Sequence, residues 1–219
     1  MIIAIDGPSG AGKGTVARRV AQALRYRHID TGAMYRAVAW LAHERGIDYA
    51  DETALVALAQ TAAFDLADGR VRIDGQDVSS AIRNADMDLA ASTVAKLGHL
   101  REVLVARQRQ MGDGGNVVIE GRDIGSVVFP DAPLKIFLDA TPEERARRRL
   151  LDPAHAGSTI DLVAVAKSIR ERDERDRNRQ FSPLRPADDA VTIDTTGRSI
   201  EDVVQQVLDL ATRVGDATH

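Results

Sequence analysis

The chain has 219 residues, a net charge of −4 and no cysteine. That length suits one large domain with small inserts. The mild acidity argues against nucleic acid as the main partner, and the missing cysteine excludes disulfides and thiolate chemistry, which suits a cytoplasmic protein.

The first stretch, Ile2-Ile3-Ala4-Ile5, is a short apolar run that reads as a buried strand. Asp6 interrupts it early and no basic segment precedes it, so it is not read as a signal peptide. No uninterrupted apolar run approaches about 18 residues, so no membrane span is expected. Next comes Gly7-Pro8-Ser9-Gly10-Ala11-Gly12-Lys13-Gly14-Thr15, and after it Val16, Val20, Ala23 and Leu24 recur at helical spacing. Strand, glycine-rich loop, lysine and helix in this order are what a phosphate-binding loop requires. Glycines let the backbone wrap closely so that successive N–H groups point at phosphate oxygens, the helix N-terminus adds partial positive charge, and Lys13 adds a full one. One position departs from the usual motif. Ser or Thr normally follows the lysine, but here Gly14 does and Thr15 comes next, so the hydroxyl usually aimed at magnesium is displaced or absent.

Arg27-His28-Ile29-Asp30 is a second strand candidate, and Asp30-Thr31-Gly32 opens a helix carrying Met34, Ala37, Val38, Leu41 and Ala42 on one face, closed at Gly46. Residues 51–63 read as a third helix. Residues 64–83 alternate polar and apolar around the turn dipeptides Asp68-Gly69 and Asp74-Gly75, which predicts a small antiparallel meander. Helix returns over residues 86–111, broken near Gly98. Val117-Val118-Ile119-Glu120 and Leu134-Lys135-Ile136-Phe137-Leu138 read as buried strands. Thr141-Pro142-Glu143-Glu144 opens a helix with Thr at the cap, Pro at the first position and Glu144 completing a capping box. Residues 152–159 read as a mobile tip and 161–180 as a long charged helix. Ala190-Val191-Thr192-Ile193-Asp194 is a last strand, and Ser199 caps a final helix. Strands alternating with helices predict an α/β fold with a roughly five-stranded parallel sheet covered on both faces. Ligands in such folds sit beyond the carboxyl ends of the strands, which gathers the phosphate-binding loop, Asp30-Thr31-Gly32, Glu120-Gly121-Arg122-Asp123 and the segment after Leu138 around one crevice.

Four groups of residues in these positions carry chemistry. Arg36, one turn into its helix, is placed to meet an anion. Arg122 and Asp123, adjacent in a loop between glycines, point to different sides, so one meets a phosphate while the other accepts hydrogen bonds. Arg172, Asp176 and Arg179 share a helix face at i, i+4 and i+7, suited to a ribose hydroxyl and a phosphate. Arg145, Arg147, Arg148 and Arg149 precede the tip as a cationic lid over transferring phosphates would. The histidines show no metal-ligand spacing, and no protein metal cage is expected. On these grounds alone the chain is a nucleotide-binding phosphotransferase or, from another class, a guanine-nucleotide switch, although no Asn-Lys-x-Asp motif occurs.

Taken together, Ile5-Asp6-Gly7-Pro8-Ser9-Gly10, Asp30-Thr31-Gly32-Ala33-Met34-Tyr35-Arg36, Glu120-Gly121-Arg122-Asp123-Ile124-Gly125, Val128-Phe129-Pro130-Asp131-Ala132-Pro133 and Arg172-Asp173-Glu174-Arg175-Asp176-Arg177-Asn178-Arg179 resemble bacterial cytidylate kinases, a family of nucleoside monophosphate kinases with a P-loop. The resemblance runs over nearly the whole chain. It implies a three-layer P-loop fold with a core at about 1–32, 86–140 and 181–219, a monophosphate-binding insert at about 33–85 and a helical lid at about 141–180, all in one domain. It implies ATP and Mg2+, with the loop from Gly7 to Thr15 and Arg148 on the donor side. On the acceptor side it implies Thr31, Ser92, Arg101 and Asp123 around the cytosine ring, Arg36, Arg122 and Arg179 on the phosphate, and Arg172 and Asp176 at the sugar. CMP and dCMP are the substrates it implies, and a monomer the expected state. A kinase for another small acceptor, such as a different monophosphate or shikimate, is the nearest alternative, and the insert at 64–83 weighs against shikimate.

Overall fold

The computed structural model describes residues 1–67, 69–152, 161–179 and 181–216, so the tip expected at 152–159 lies outside the described residues from position 153 on. The chain forms two compact units, Met1–His28 with Gly114–His219, and Ile29–Asp113.

The first unit is built on parallel strands. β1 (Ile2–Asp6) is paired on one side with β6 (Val117–Gly121) and on the other with β7 (Leu134–Asp139), and β7 pairs with β8 (Val191–Asp194). With β2 (Arg27–Asp30), in which the chain passes from the first unit into the second, the sheet order is β2-β6-β1-β7-β8. The continuous apolar runs explain this arrangement. Ile3, Ala4, Ile5, Val117, Val118 and Ile119 are all buried, as strands covered on both faces must be. α1 (Lys13–Leu24) contributes Val16, Ala17, Val20 and Ala21 to the core, and α8 (Ile200–Asp216) contributes Val203, Val207 and Ala211. Each fully buried Val or Ile adds about 1.5–3 kcal/mol of burial free energy. α6 (Pro142–Leu150) and α7 (Leu162–Arg177) pack through Ala146, Ala166 and Ile169. Of the expected capping box at α6 one half forms: Thr141 Oγ1 accepts the Glu144 N–H at 3.3 Å, while the Thr141 N–H donates to Thr196 Oγ1 at 3.1 Å and the Glu144 carboxylate accepts from Arg147 and Arg148.

Because the strands are parallel, Asp6 lies level with Gly121 and Phe137. The carboxyl ends of β1, β6 and β7 therefore deliver the glycine-rich loop, Arg122 and the start of α6 to one edge of the sheet. Beyond Asp123 the backbone enters a turn that sequence patterning does not announce. Ile124–Val128 is a short π-helix, closed by Phe129 N–H donating to Ile124 O at 2.7 Å.

The second unit holds α2 (Thr31–Glu44), α3 (Glu52–Thr61), α4 (Ala85–Val94) and α5 (Gly98–Gly112) around Met34, Val38, Leu55, Ile82, Leu100 and Leu104. The predicted meander is present as the antiparallel strands β3 (Phe64–Ala67), β4 (Arg70–Ile73) and β5 (Gln76–Asp77). In β4, Val71 and Ile73 are buried while Arg70 and Arg72 face out, the alternation read in the sequence. Asp74 and Gly75 both take positive φ, 51° and 80°, which is why a two-residue hairpin needs that dipeptide.

Candidate active site

The phosphate-binding loop is held open by contacts that only glycine permits. Gly7 has φ 147°, and a Cβ on it would lie 2.0 Å from the Leu138 carbonyl oxygen of β7. Gly12, at φ 90°, caps α1 without any side-chain hydrogen bond, so the first N–H groups of that helix are left to an anion. Lys13 folds back over the loop and donates to Pro8 O at 2.8 Å. Burial pushes its pKa down to about 7, helped by the Arg122 charge, resisted by Glu120, lowered again by Arg172 and resisted by Asp6. An anion in this loop meets both requirements at once, because it gives the N–H groups an acceptor and the lysine a counter-charge. Gly14 faces the Glu120 carboxylate, and a Cβ at 14 would sit 3.2 Å from Glu120 Oε1. The position usually held by a hydroxyl thus lies against a carboxylate, which His28 Nε2 contacts at 3.0 Å. Thr15 follows, half-buried, on α1.

Beside this loop the first unit gathers a second cluster. Asp176, on α7, is buried, and its carboxylate accepts from Arg122 Nε at 3.2 Å and lies 3.7 Å from Arg179 Nη2. Burial alone would raise its pKa, but the charges of Arg122, Arg179 and Arg172 and the Arg122 hydrogen bond outweigh it and hold the carboxyl below its ordinary value. Arg172, Asp176 and Arg179 do come together, but not as one helix face: α7 ends at Arg177, and Arg179 reaches Asp176 from beyond the C-cap. The loop arginine Arg122 joins them, a partner that helix spacing does not reveal. Asp123 is buried next to Arg122.

The arginines of α6 play unlike parts. Arg145 is 2% exposed and donates to Ala140 O at 2.9 Å and Ser9 O at 3.1 Å, while its Nη2 meets Asp173 of α7 at 2.6 Å. It is a strut between the phosphate-binding loop and α7 and is not a lid cation. Arg148 is held by Glu144 at 2.9 Å and by Thr195, whose Oγ1 and carbonyl accept at 2.9 and 2.6 Å. Its Nη1 would lie 3.7 Å from a Cβ on Gly12, so it sits against the loop as expected. Arg149 reaches Ser9 Oγ at 3.3 Å, and Arg147 is exposed and paired with Glu144.

The second unit carries its own cluster. Asp30 caps α2 by accepting the Ala33 N–H at 3.0 Å and pairs with Arg36 at 2.9 Å; Asp88 stands 3.8 Å from the same guanidinium. Thr31, Ser92 and Arg101 are all buried. The Arg101 guanidinium lies over the Tyr35 ring, 5.5 Å from its centre, and donates to Ala95 O at 3.3 Å. The Ser92 hydroxyl has no hydrogen-bond partner among the described residues. A buried hydroxyl in that state is costly unless something else supplies the bond.

The model of the cytidylate kinase family matches residues 3–213. The chain belongs to the cytidylate kinase family. It is 47% identical over 220 residues to the cytidylate kinase of Pseudomonas aeruginosa, covering 98% of this chain and 96% of that one. It is 46% identical over 215 residues to the cytidylate kinase of Bacillus licheniformis, covering 96% and 95%. Against the bifunctional pantoate ligase/cytidylate kinase of Synechococcus elongatus it is 50% identical over 218 residues, covering 95% of this chain; it spans 41% of that protein's length. Two solved structures share the fold. The shikimate kinase of Acinetobacter baumannii has a TM-score of 0.51 at 16% identity, covering 97% of this chain and 93% of that one. The gluconokinase of Sinorhizobium meliloti has a TM-score of 0.51 at 16% identity, covering 99% and 97%. At those identities the likeness speaks to the fold alone.

The residues named from motifs fall in both units: Arg122, Asp123, Arg172, Asp176 and Arg179 in the first, and Thr31, Arg36, Ser92 and Arg101 in the second. Two structural roles were not named from the sequence. Glu120 stands in a quoted motif, but only the parallel pairing of β1 and β6 brings its carboxylate to Gly14. Asp6, also quoted, is a charged residue closing an otherwise apolar strand, a signal with no evident partner until the turn at Ile124 is seen. Among the described residues no group of three or more His, Cys, Asp or Glu is placed to cage a metal, and no helix is long and apolar enough to cross a membrane.

Proposed function

We propose that this chain transfers the γ-phosphoryl group of ATP to CMP or dCMP, giving CDP or dCDP and ADP. The observation that carries the reading is the pair of anion-seeking clusters in one unit: the uncapped α1 N-terminus with Lys13, and Asp176 ringed by Arg122, Arg172 and Arg179. A buried carboxylate among arginines suits a ligand that presents hydroxyls and phosphate together, which CMP does and shikimate does not.

The chemistry needs no side-chain nucleophile. An acceptor phosphate oxygen attacks in line, and catalysis consists of positioning and charge neutralisation. Two unit charges 4 Å apart repel by about 4 kcal/mol at an effective dielectric of 20. On the acceptor side we assign that charge to Arg36, Arg122 and Arg179; on the donor side, to Lys13 and Arg148, with the backbone from Gly7 to Thr15 cradling the phosphates. Thr31, Ser92, Arg101 and Asp123 are assigned to the cytosine ring and its surroundings, and Arg172 and Asp176 to the sugar hydroxyls. Lys13 exchanges the Pro8 carbonyl for a phosphate oxygen when ATP enters. The residues present also fit a magnesium ion, which keeps much of its water and takes one or two carboxylates plus phosphate oxygens. Glu120, beside Gly14, and the Thr15 hydroxyl are the groups to hold it. When bound it neutralises charge on the transferring phosphates. A cytoplasmic monomer completes the reading, and light scattering of the purified protein tests the monomer.

The test is ADP release measured across a panel of monophosphates and shikimate. We expect turnover with CMP and dCMP and none with ATP alone. Turnover with shikimate but not CMP overturns the assignment, and hydrolysis of nucleotide without any acceptor points to a switch.

A further inference from the structure

We propose that Asp6 is a positioning residue of the acceptor site, anchoring the loop that bears Arg122 and Asp123 to the foot of the phosphate-binding loop. The proposal rests on the assignment of Arg122 and Asp123 to the acceptor nucleotide. Asp6 ends β1 and directly precedes Gly7. Its two carboxylate oxygens accept one N–H each, from Ile124 and from Gly125, both at 2.8 Å. Those are the first two N–H groups of the π-helical turn. The turn's own bonds run from Val127 and Val128 to Asp123 O, and from Phe129 to Ile124 O, so its opening N–H groups have no acceptor within it. Asp123, at the cap position, makes no side-chain capping bond. Asp6 therefore supplies the cap from a site 118 residues away in sequence. Arg122 and Asp123 are the two residues immediately before this anchor. Moving the anchor moves them relative to Gly7.

Asp6 is buried at 5% exposure, and it is not needed to fill the core, because an apolar residue would extend the Ile2–Ile5 run. Its retention of a charge is explained by the two N–H groups. Burial lifts its carboxyl to about 7 against the pull of the Gly125 and Ile124 hydrogen bonds; among charged groups, Asp123 lifts it further and Lys13 lowers it. An ionised Asp6 accepts both bonds. A protonated one offers an O–H donor to one of two N–H donors, and the anchor loosens.

Three forms of the chain test this: wild type, Asp6→Asn, which keeps one acceptor, and Asp6→Ala, which keeps none. We expect KM for CMP to rise about 10-fold or more in Asp6→Ala and less in Asp6→Asn, because hydrogen bonds to charged groups are the strong ones and part of that strength positions Arg122. Binding of a fluorescent ATP analogue should weaken less than binding of CMP, since Asp6 makes no hydrogen bond to Lys13 and acts on it only through its charge. The wild-type to Asp6→Asn ratio of kcat/KM for CMP should fall as pH drops through 7. Titration of the CMP phosphate cancels in that ratio. In the wild-type protein, the backbone amide signals of Ile124 and Gly125 and the Nε signal of Arg122 should titrate together near pH 7. Equal losses for CMP and the ATP analogue, a pH-independent ratio, or amide signals that do not titrate together would overturn the proposal. The amide measurement decides even where a variant fails to fold. If the wild type does not use CMP at all, the functional assignment fails first, and the amide titration still reports whether the anchor exists.

Discussion

At the scale of single residues the site is governed by two buried charges of opposite sign. Lys13 is an ammonium that burial has brought down to about 7, so at pH 8 much of it is neutral in the ligand-free protein. A triphosphate beside it restores the charged form. Binding of ATP at pH 8 should therefore take up a fraction of a proton, measured by calorimetry in buffers of different ionisation enthalpy. Lys13→Ala should lose that uptake and phosphoryl transfer together, with an unchanged far-ultraviolet circular dichroism spectrum. Wild-type turnover in the variant would sink the donor-site assignment. Asp176 is the other charge, held ionised by Arg122, Arg179 and Arg172. Asp176→Ala removes an acceptor worth roughly 1.5–3 kcal/mol to a sugar hydroxyl and releases the grip on Arg122. Efficiency with CMP and dCMP should fall about 10- to 100-fold, while KM for ATP stays nearly constant. If Asp176 served only to neutralise the buried arginines around it, its loss would cost about 3–5 kcal/mol of stability and leave the kinetics of the folded protein alone. Steady-state kinetics with both substrates separates the two.

At the scale of elements, α6 shows what a sequence discloses and what it withholds. Its start was legible, because Thr141 at the cap and Pro142 at the first position each have a local job that needs no knowledge of the fold. The helical period also separates Arg147 from Arg145, Arg148 and Arg149, which lie at i, i+3 and i+4. Nothing local says that Arg145 is buried, because its partners Ser9 and Asp173 come from remote stretches. The same limit hid the π-helical turn at Ile124 and the approach of Glu120 to Gly14, both consequences of strand pairing across more than a hundred residues. The Arg145–Asp173 pair makes this testable. Both side chains are nearly fully buried, so removing one leaves the other's charge uncompensated. Asp173→Ala should destabilise the protein by about 3–5 kcal/mol in urea denaturation. Arg147→Ala, on the exposed side of the same helix, should change stability by no more than about 0.5 kcal/mol. Equal effects would show that Arg145 is not the strut described here.

At the scale of the whole molecule, the strands were legible from their apolar runs and the meander from its alternation and turn dipeptides, since both patterns are written in adjacent residues. The order β2-β6-β1-β7-β8 is not written locally, and it is this order that makes β1 the central strand and so buries Asp6 and Lys13 at its end. Their titration gives the first unit an unusual pH dependence. Asp6 has a pKa of about 7 when folded against 3.8 as its ordinary value. Between these values the folded chain holds a proton that the unfolded chain has released, so stability falls as pH rises, at up to about 1.4 kcal/mol per unit. Lys13 has a pKa of about 7 when folded against 10.5 as its ordinary value. Between those values the unfolded chain holds the extra proton, so stability rises with pH by a like amount. The two contributions meet in a minimum near pH 7, the condition under which a bound nucleotide relieves the lysine's share. Urea denaturation at pH 5, 7 and 9 of wild type, Asp6→Asn and Lys13→Met measures it by difference. Relative to Asp6→Asn, the wild type should lose stability from pH 5 to 7. Relative to Lys13→Met, it should gain stability from pH 7 to 9. Differences that stay flat across both windows would mean that the two groups titrate in the folded chain as they do in the unfolded one, and that neither is buried as a charge at the foot of the phosphate-binding loop.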